Sequence, residues 1–165
     1  MKKIEEAYLP ARYFQEIMLV VRQLLGWSAQ EFGDLVGLRR QTINNLEKNV
    51  PGYYVSKLQY IAMRSVINDE TTDSNGKKKE GYEIPLALLD AYVDHRENYD
   101  DEARKEIFNR ARLVAPSIKE DPDNKKVATA LFFAGLGSAL LGQFVGAGIL
   151  LYQAKKVKEK DKNGD

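Results

Sequence analysis

Between Lys126 and Lys155 the chain runs for twenty-eight residues without a formal charge, VATALFFAGLGSALLGQFVGAGILLYQA. A bilayer core about 30 Å thick takes roughly 20 apolar helical residues, so 127–154 is long enough to cross it with tilt. Left bare in water such a run is an aggregation-prone patch, and it must be covered by lipid or by protein. Ala134, Ser138, Gly142 and Gly146 recur every four residues, a small-residue face that lets two helices approach closely and would pair two copies of the chain. Tyr152 suits a membrane interface, and Lys155, Lys156 and Lys158 suit headgroup phosphates. Two features weigh against a plain crossing. Glycines and Gln143 soften the run, and a cytoplasmic head would force the lysine-rich end across the membrane, against the usual charge bias. Three arrangements therefore stay open: a crossing, a re-entrant hairpin around Gly135 to Gly142, and a soluble helix or hairpin buried in a core. Association with membrane lipid is the preferred one.

The remaining residues read as all-α. The stripe Phe14, Ile17, Val21, Leu24 and Leu25 marks an amphipathic helix over 11–25. Ser28 followed three residues later by Glu31 is a capping box, opening a helix over 29–36 that should bury Phe32, Leu35 and Val36. Gly37 supplies a turn, and a helix over 40–48 should bury Ile43 and Leu46 before Asn49, Pro51 and Gly52 break it. The spacing predicts a fourth helix over 56–67 with Leu58, Ile61 and Val66 inward. Residues 68–83 are polar and contain Asn75-Gly76, which fits a flexible linker or a hairpin turn; the linker is preferred. Over 84–124 a helical pair is expected. Pro85 sits in the first turn of its first helix, which carries Leu86, Leu89, Tyr92 and Val93. Asp100 or Asp101 caps the second, with the stripe Ala103, Ile107, Ala111 and Val114, which should end before Pro116. Residues 155–165 form a charged tail.

Charge is uneven along the 165 residues, whose net charge is only +1. Residues 1–67 carry nine Lys/Arg against six Asp/Glu, 68–124 nine against fifteen, and 125–165 seven against three. A mildly basic beginning can face a polyanion. The first nine residues hold two lysines but no apolar run, unlike a secretory signal. With no cysteine and a single histidine, His95, thiol chemistry, Cys-based zinc sites and His-rich metal sites are excluded. No catalytic residue, metal or cofactor is expected, and Asp90, Asp94 and Glu97 read as helix surface.

The stretch GWSAQEFGDLVGLRRQTINNLEKN, Gly26 to Asn49, resembles the helix-turn-helix domain of the Cro and phage-repressor type, also called the xenobiotic-response-element family. The resemblance extends weakly to the flanking helices of 1–67. It implies that 40–48 is a recognition helix for the major groove of double-stranded DNA. Amide and guanidinium side chains read base edges there bidentately, and Arg39, Arg40, Gln41, Asn44 and Asn45 supply those groups. Gln30, at the start of the second helix, is the expected phosphate donor, joined by Lys48 and Lys57. The resemblance also implies a structural ion pair between Arg22 and Glu47. Two residues depart from the pattern: Arg39 stands where a small polar N-cap is usual, and Gly33 where alanine is usual.

The expectation is a cytoplasmic, dimeric, sequence-specific transcriptional regulator, held at the inner face of the cell membrane by 127–154. The alternative is a membrane-anchored adaptor whose helix-turn-helix binds protein, as in bacterial cell-shape proteins with similar N-termini. A protein-binding version should lose the basic and amide face of the third helix, and that face is present here.

Overall fold

The computed structural model describes residues 8–149. They are all-helical: α1 Leu9–Leu24, α2 Ala29–Val36, α3 Arg40–Glu47, α4 Lys57–Thr71, α5 Glu83–Leu89, α6 Asp101–Glu120, α7 Lys125–Ala134 and α8 Ser138–Gly146. Residues 150–154 of the uncharged run and the tail 155–165, with Tyr152, Lys155, Lys156 and Lys158, lie outside the described residues.

α1 is the spine. Pro10 starts it, where a missing N–H costs nothing. Ala11, Phe14, Gln15, Ile17, Met18, Val20, Val21, Arg22 and Leu24 are then all buried, more than a single stripe. The surplus is explained by what flanks α1: α3 and α4, and also α5 and α6, all pack on it. The buried hydrophobic residues of 8–149 accordingly form one continuous core, shared by α1–α4 and the later helices.

α2 begins as expected, with Ser28 Oγ accepting from Glu31 N (3.1 Å) and Glu31 Oε2 accepting from Ser28 N (2.6 Å). Phe32 is buried, but Leu35 is half exposed, although α2 packs on both α3 and α4. The turn into α3 is a left-handed Gly37 (φ 72°), after which Leu38 N bonds back to Gly33 O at 2.8 Å. That closure explains Gly33: a Cβ there would lie 2.4 Å from the Leu38 carbonyl oxygen. Arg39 opens α3 without any side-chain cap bond.

In α4 the expected inward face is wrong. Leu58 is 77% and Ile61 51% exposed, whereas Tyr60, Met63, Ile67 and Thr71 are buried. Both sets have helical spacing. The choice between them falls to α1, whose Phe14 meets the Tyr60 ring edge-on at 5.7 Å. α4 also runs to Thr71, so the stretch 68–83 is not a linker. Thr72 pairs with Lys78, Lys79 N bonds Thr71 O, and Asp73 Oδ1 accepts from Asn75 N and Lys77 N, closing a small hairpin turn. Tyr82 and Glu83 are already buried at its end.

α5 stops at Leu89 and the chain continues as a π-helical turn, Asp90–Asp94. Asp100 caps α6 by accepting from Ala103 N (2.7 Å). α6 does not end before Pro116 but continues through it to Glu120. An interior proline costs about 3 kcal/mol. Burial of Ala115 and Ile118 on either side of it offsets that, since one fully buried isoleucine alone contributes about 1.5–3 kcal/mol.

The described part of the uncharged run, 127–149, holds two short helices instead of one long one. α7 ends at Ala134 because Gly135 and Gly137 interrupt it, and a Cβ at Gly135 would displace the Arg110 guanidinium. Ala134 therefore ends one helix while Ser138, Gly142 and Gly146 belong to the next, and the four do not form one continuous packing face. Phe132, Phe133, Leu136 and Phe144 enter the core. No helix among the described residues is long and apolar enough to cross a membrane.

Helix propensity favours alanine over glycine by about 1 kcal/mol, yet Gly33→Ala is expected to destabilise the protein by about 1–3 kcal/mol, the range for overpacking a tight contact. A urea midpoint for Gly33→Ala at or above that of the parent would show that the α2–α3 turn yields easily.

Candidate nucleic-acid interface

α3 is anchored from behind by two buried polar side chains of α1. Arg22 Nε donates to Glu47 Oε1 at 2.6 Å, Nη2 to Glu47 Oε2 at 2.9 Å, and Nη1 to the Trp27 carbonyl at 2.8 Å. Both side chains are about 5% exposed, 6% for Arg22 and 4% for Glu47. The bidentate fork fixes the rotation of α3 about its axis and, with the Trp27 bond, the approach into α2. It also neutralises a carboxylate at the C-terminal end of α3, where the helix dipole disfavours negative charge.

Gln15 is the second anchor, one that pattern reading passed over because a polar residue on an apolar stripe looks like an interruption. Its Nε2 donates to Leu46 O (3.0 Å) and Tyr53 O (3.1 Å), and its Oε1 accepts from Val55 N (3.0 Å). One amide thus satisfies three backbone groups of the α3–α4 connection, groups that would otherwise be stranded next to the core.

With Ile43, Leu46 and Glu47 turned inward, the other side of α3 is set. Arg39, Arg40 and Gln41 are exposed, and Asn44 and Asn45 are half-buried. Gln41 Nε2 donates to Asn45 Oδ1 at 3.0 Å, so these two present one shared amide edge rather than two independent ones. Gln30 is exposed on α2 and donates to Asp34 Oδ1 at 2.8 Å. It lines a shallow cleft with Gly33, Asp34, Gly37, Leu38, Arg39 and Arg40. Lys48 caps the far end of α3, and Lys57 begins α4 with Nζ 5.2 Å above the Tyr8 ring. The three phosphate candidates therefore do not cluster: Gln30 stands by the N-terminal end of α3, and Lys48 and Lys57 follow its C-terminal end. Near the latter, the Arg12 guanidinium lies 3.8 Å from the Tyr54 ring centroid, and Tyr53 and Tyr54 are exposed.

Compared with protein-family models, with curated proteins and with solved structures, the chain matches none.

A second polar constellation lies on the other side of α1. Asp90, expected on the surface, is buried. It accepts from the Tyr99 hydroxyl (2.5 Å) and pairs with His95 Nδ1 (2.6 Å), while His95 N bonds Asp90 O at 2.9 Å. The π turn places His95 beside Asp90, since its i→i+5 bond runs from His95 N to Asp90 O. Asp94 is engaged too, by Arg64 of α4 at 2.7 and 2.8 Å. Burial and the Asp90 hydrogen bond hold the Tyr99 hydroxyl well above the usual phenol range. Hydrogen bonding and charge from Asp90 raise the His95 imidazole, with Asp94 and Glu97 adding to it.

Losing either member of the Arg22–Glu47 pair strands the other in the core. Arg22→Met and Glu47→Gln should each cost about 3–5 kcal/mol, and a double-mutant cycle in denaturant should give strong coupling; a coupling near zero would mean α3 is held by other contacts. His95 yields a pH test. Its folded value is raised above about 6.5, so its contribution is complete below that pH and disappears as pH rises through the raised value. The stability gap between the parent and His95→Gln should therefore narrow from pH 5.5 to pH 8.5, values about one unit below and two above the ordinary histidine pKa. A gap that widens with pH would exclude the Asp90 pairing.

Proposed function

We propose that the chain is a sequence-specific DNA-binding transcriptional regulator in which α2 and α3 act as a helix-turn-helix and α3 is the recognition helix. One observation carries the reading. The only carboxylate of α3, Glu47, is turned into the core by Arg22, leaving an outward side of guanidinium and amide groups: Arg39, Arg40, Gln41, Asn44 and Asn45. A solvated helix face ordinarily mixes both signs of charge. Arg39 and Arg40 suit guanine O6 and N7, and the coupled Gln41–Asn45 edge suits adenine N6 and N7. Gln30 on one side and Lys48 and Lys57 on the other bracket α3 where phosphates flank a major groove. Two copies on a roughly palindromic operator would give the usual half-site arrangement, and the protein would work in the cytoplasm, where the DNA is.

A second reading, an adaptor that binds protein through the same unit, is favoured by exposed Leu35 on α2 and exposed Leu58 and Ile61 on α4, helices that pack together. The two readings separate on selection from a randomised duplex pool with the full chain. A defined operator should be enriched. On it, Gln41→Ala or Asn44→Ala should cost about 1–3 kcal/mol with little change on random DNA. Lys57→Ala should weaken both and lower the salt slope by about one. No enrichment would sink the DNA reading, and unchanged discrimination in the α3 variants would move recognition off this helix.

A further inference from the structure

We propose that Arg12 and Tyr54, both outside the stretch that resembles a helix-turn-helix, form a preorganised phosphate clamp that holds the DNA backbone at the C-terminal end of α3, an inference that rests on the DNA reading above. Tyr54 is 57% and Tyr53 41% exposed, yet the backbone that carries them is firmly held. Gln15 Nε2 donates to Tyr53 O (3.1 Å) and its Oε1 accepts from Val55 N (3.0 Å), so one buried amide of α1 fixes the chain on both sides of Tyr54. Left-handed Asn49 (φ 51°) and Gly52 (φ 88°) turn the connection sharply ahead of it. Arg12 lies three residues before Gln15, and its guanidinium carbon stands 3.8 Å from the Tyr54 ring centroid. Residues three apart on a helix are neighbours, so one side of α1 both fixes the backbone of Tyr54 and covers its ring. At its exposure Tyr54 adds little to the core; what the arrangement fixes is the plane of the arginine. A guanidinium stacked on a ring keeps its N–H edge outward, in the fork that matches a phosphate.

Charge selects the partner. Among the described residues Arg12 has no carboxylate within ion-pair distance, unlike Arg22, Arg64, Arg104 and Arg110. Glu16, one turn further along α1, lies near Tyr92 instead, where burial and then that carboxylate hold the phenol above its usual range. From Leu35 to Asn68 there are five Lys/Arg and one acidic residue, Glu47, whose side chain is buried against Arg22. Exposed Lys48 and Lys57 flank the connection that carries Tyr54, so this end of α3 offers positive charge with no described carboxylate to repel a phosphodiester. Gln15 ties the pair to the last turn of α3, because its Nε2 also donates to Leu46 O at 3.0 Å. The eight residues of α3 span about 12 Å, close to the width of the major groove. With Arg39 and Arg40 at the other end, cations stand where α3 meets each of the two phosphate walls of that groove.

The test is fluorescence anisotropy of the full chain with the selected operator and with a random duplex, between about 50 and 200 mM salt, where phosphate contacts weaken steeply. Arg12→Ala should weaken binding to both duplexes by the same factor, on the order of tenfold, and lower the salt slope by about one. Tyr54→Ala keeps the charge and loses only its orientation, so affinity should fall about threefold, the cost of immobilising one long side chain, with the slope unchanged. Tyr54→Phe keeps the ring and should bind like the parent. In the Arg12→Ala background Tyr54→Ala should cost nothing more. Neither side chain is in the core, so unfolding midpoints should stay near the parent's, and Arg12→Gln, which keeps the stem, repeats the charge loss should the alanine variant unfold. Parental affinity and slope in Arg12→Ala would overturn the clamp, and if Gln41→Ala still lost discrimination the DNA reading would stand without it. Additive losses from Arg12→Ala and Tyr54→Ala would overturn the positioning role of Tyr54. A parent that binds neither duplex at about 50 mM salt would overturn the clamp and the DNA reading together. One that binds random duplex alone, weakened by Arg12→Ala, would support the clamp while sinking sequence-specific recognition by α3.

Discussion

Everything else in the structure depends on α1 being buried on nearly every side. A helix with one apolar stripe can serve one neighbour. α1 offers Phe14, Ile17, Met18, Val20, Val21 and Leu24 around most of its circumference and serves α3 and α4 together with α5 and α6. The N-terminal four helices and the later helices therefore share one core. A change that loosens α1 is felt in both halves, and the α2–α3 surface is fixed relative to α7 by the same helix.

Within that apolar spine two polar residues do the aiming. Hydrophobic burial is non-directional; it holds α3 close to α1 without choosing its rotation. Arg22 and Gln15 add direction, the first by a bidentate bond to Glu47 and the second by three bonds to the α3–α4 connection. Arg39, Arg40 and Gln41 are outward because Glu47 and Leu46 are held inward. Stability and presentation of the surface are here one set of contacts.

The far side shows the same division. Asp90 is drawn in by Tyr99 and His95, and Tyr99 in turn stacks near Phe144 of α8, ring centroids 5.9 Å apart. Phe144 meets Phe133 edge-on at the same separation. A π turn, a buried carboxylate and an aromatic chain thereby tie the end of α5 to the helices of the uncharged run. Tyr82 adds a link at the other end of α5: it donates to Glu70 of α4, and Lys125 of α7 donates to it.

Local signals were legible wherever their energetics are local. The Ser28–Glu31 box, the Asp100 cap, the Gly37 turn and the stripe of α1 each depend on residues within a turn or two of one another, and all stand where the sequence alone puts them. The Arg22–Glu47 contact, expected from a resemblance, also forms. Tertiary packing decided what periodicity leaves degenerate. α4 has two faces with helical spacing, and the one carrying Tyr60, Met63 and Ile67 went inward because α1 presents Phe14 to it. Pro116 is a local stop signal overridden by burial of its neighbours. Asp90 reads as surface from its charge and is core because Tyr99 and His95 meet it there. The uncharged run had to be covered, and composition says no more than that. Whether one side meets protein and the other faces outward depends on where α6 lies, which is a property of the whole chain and of no segment within it.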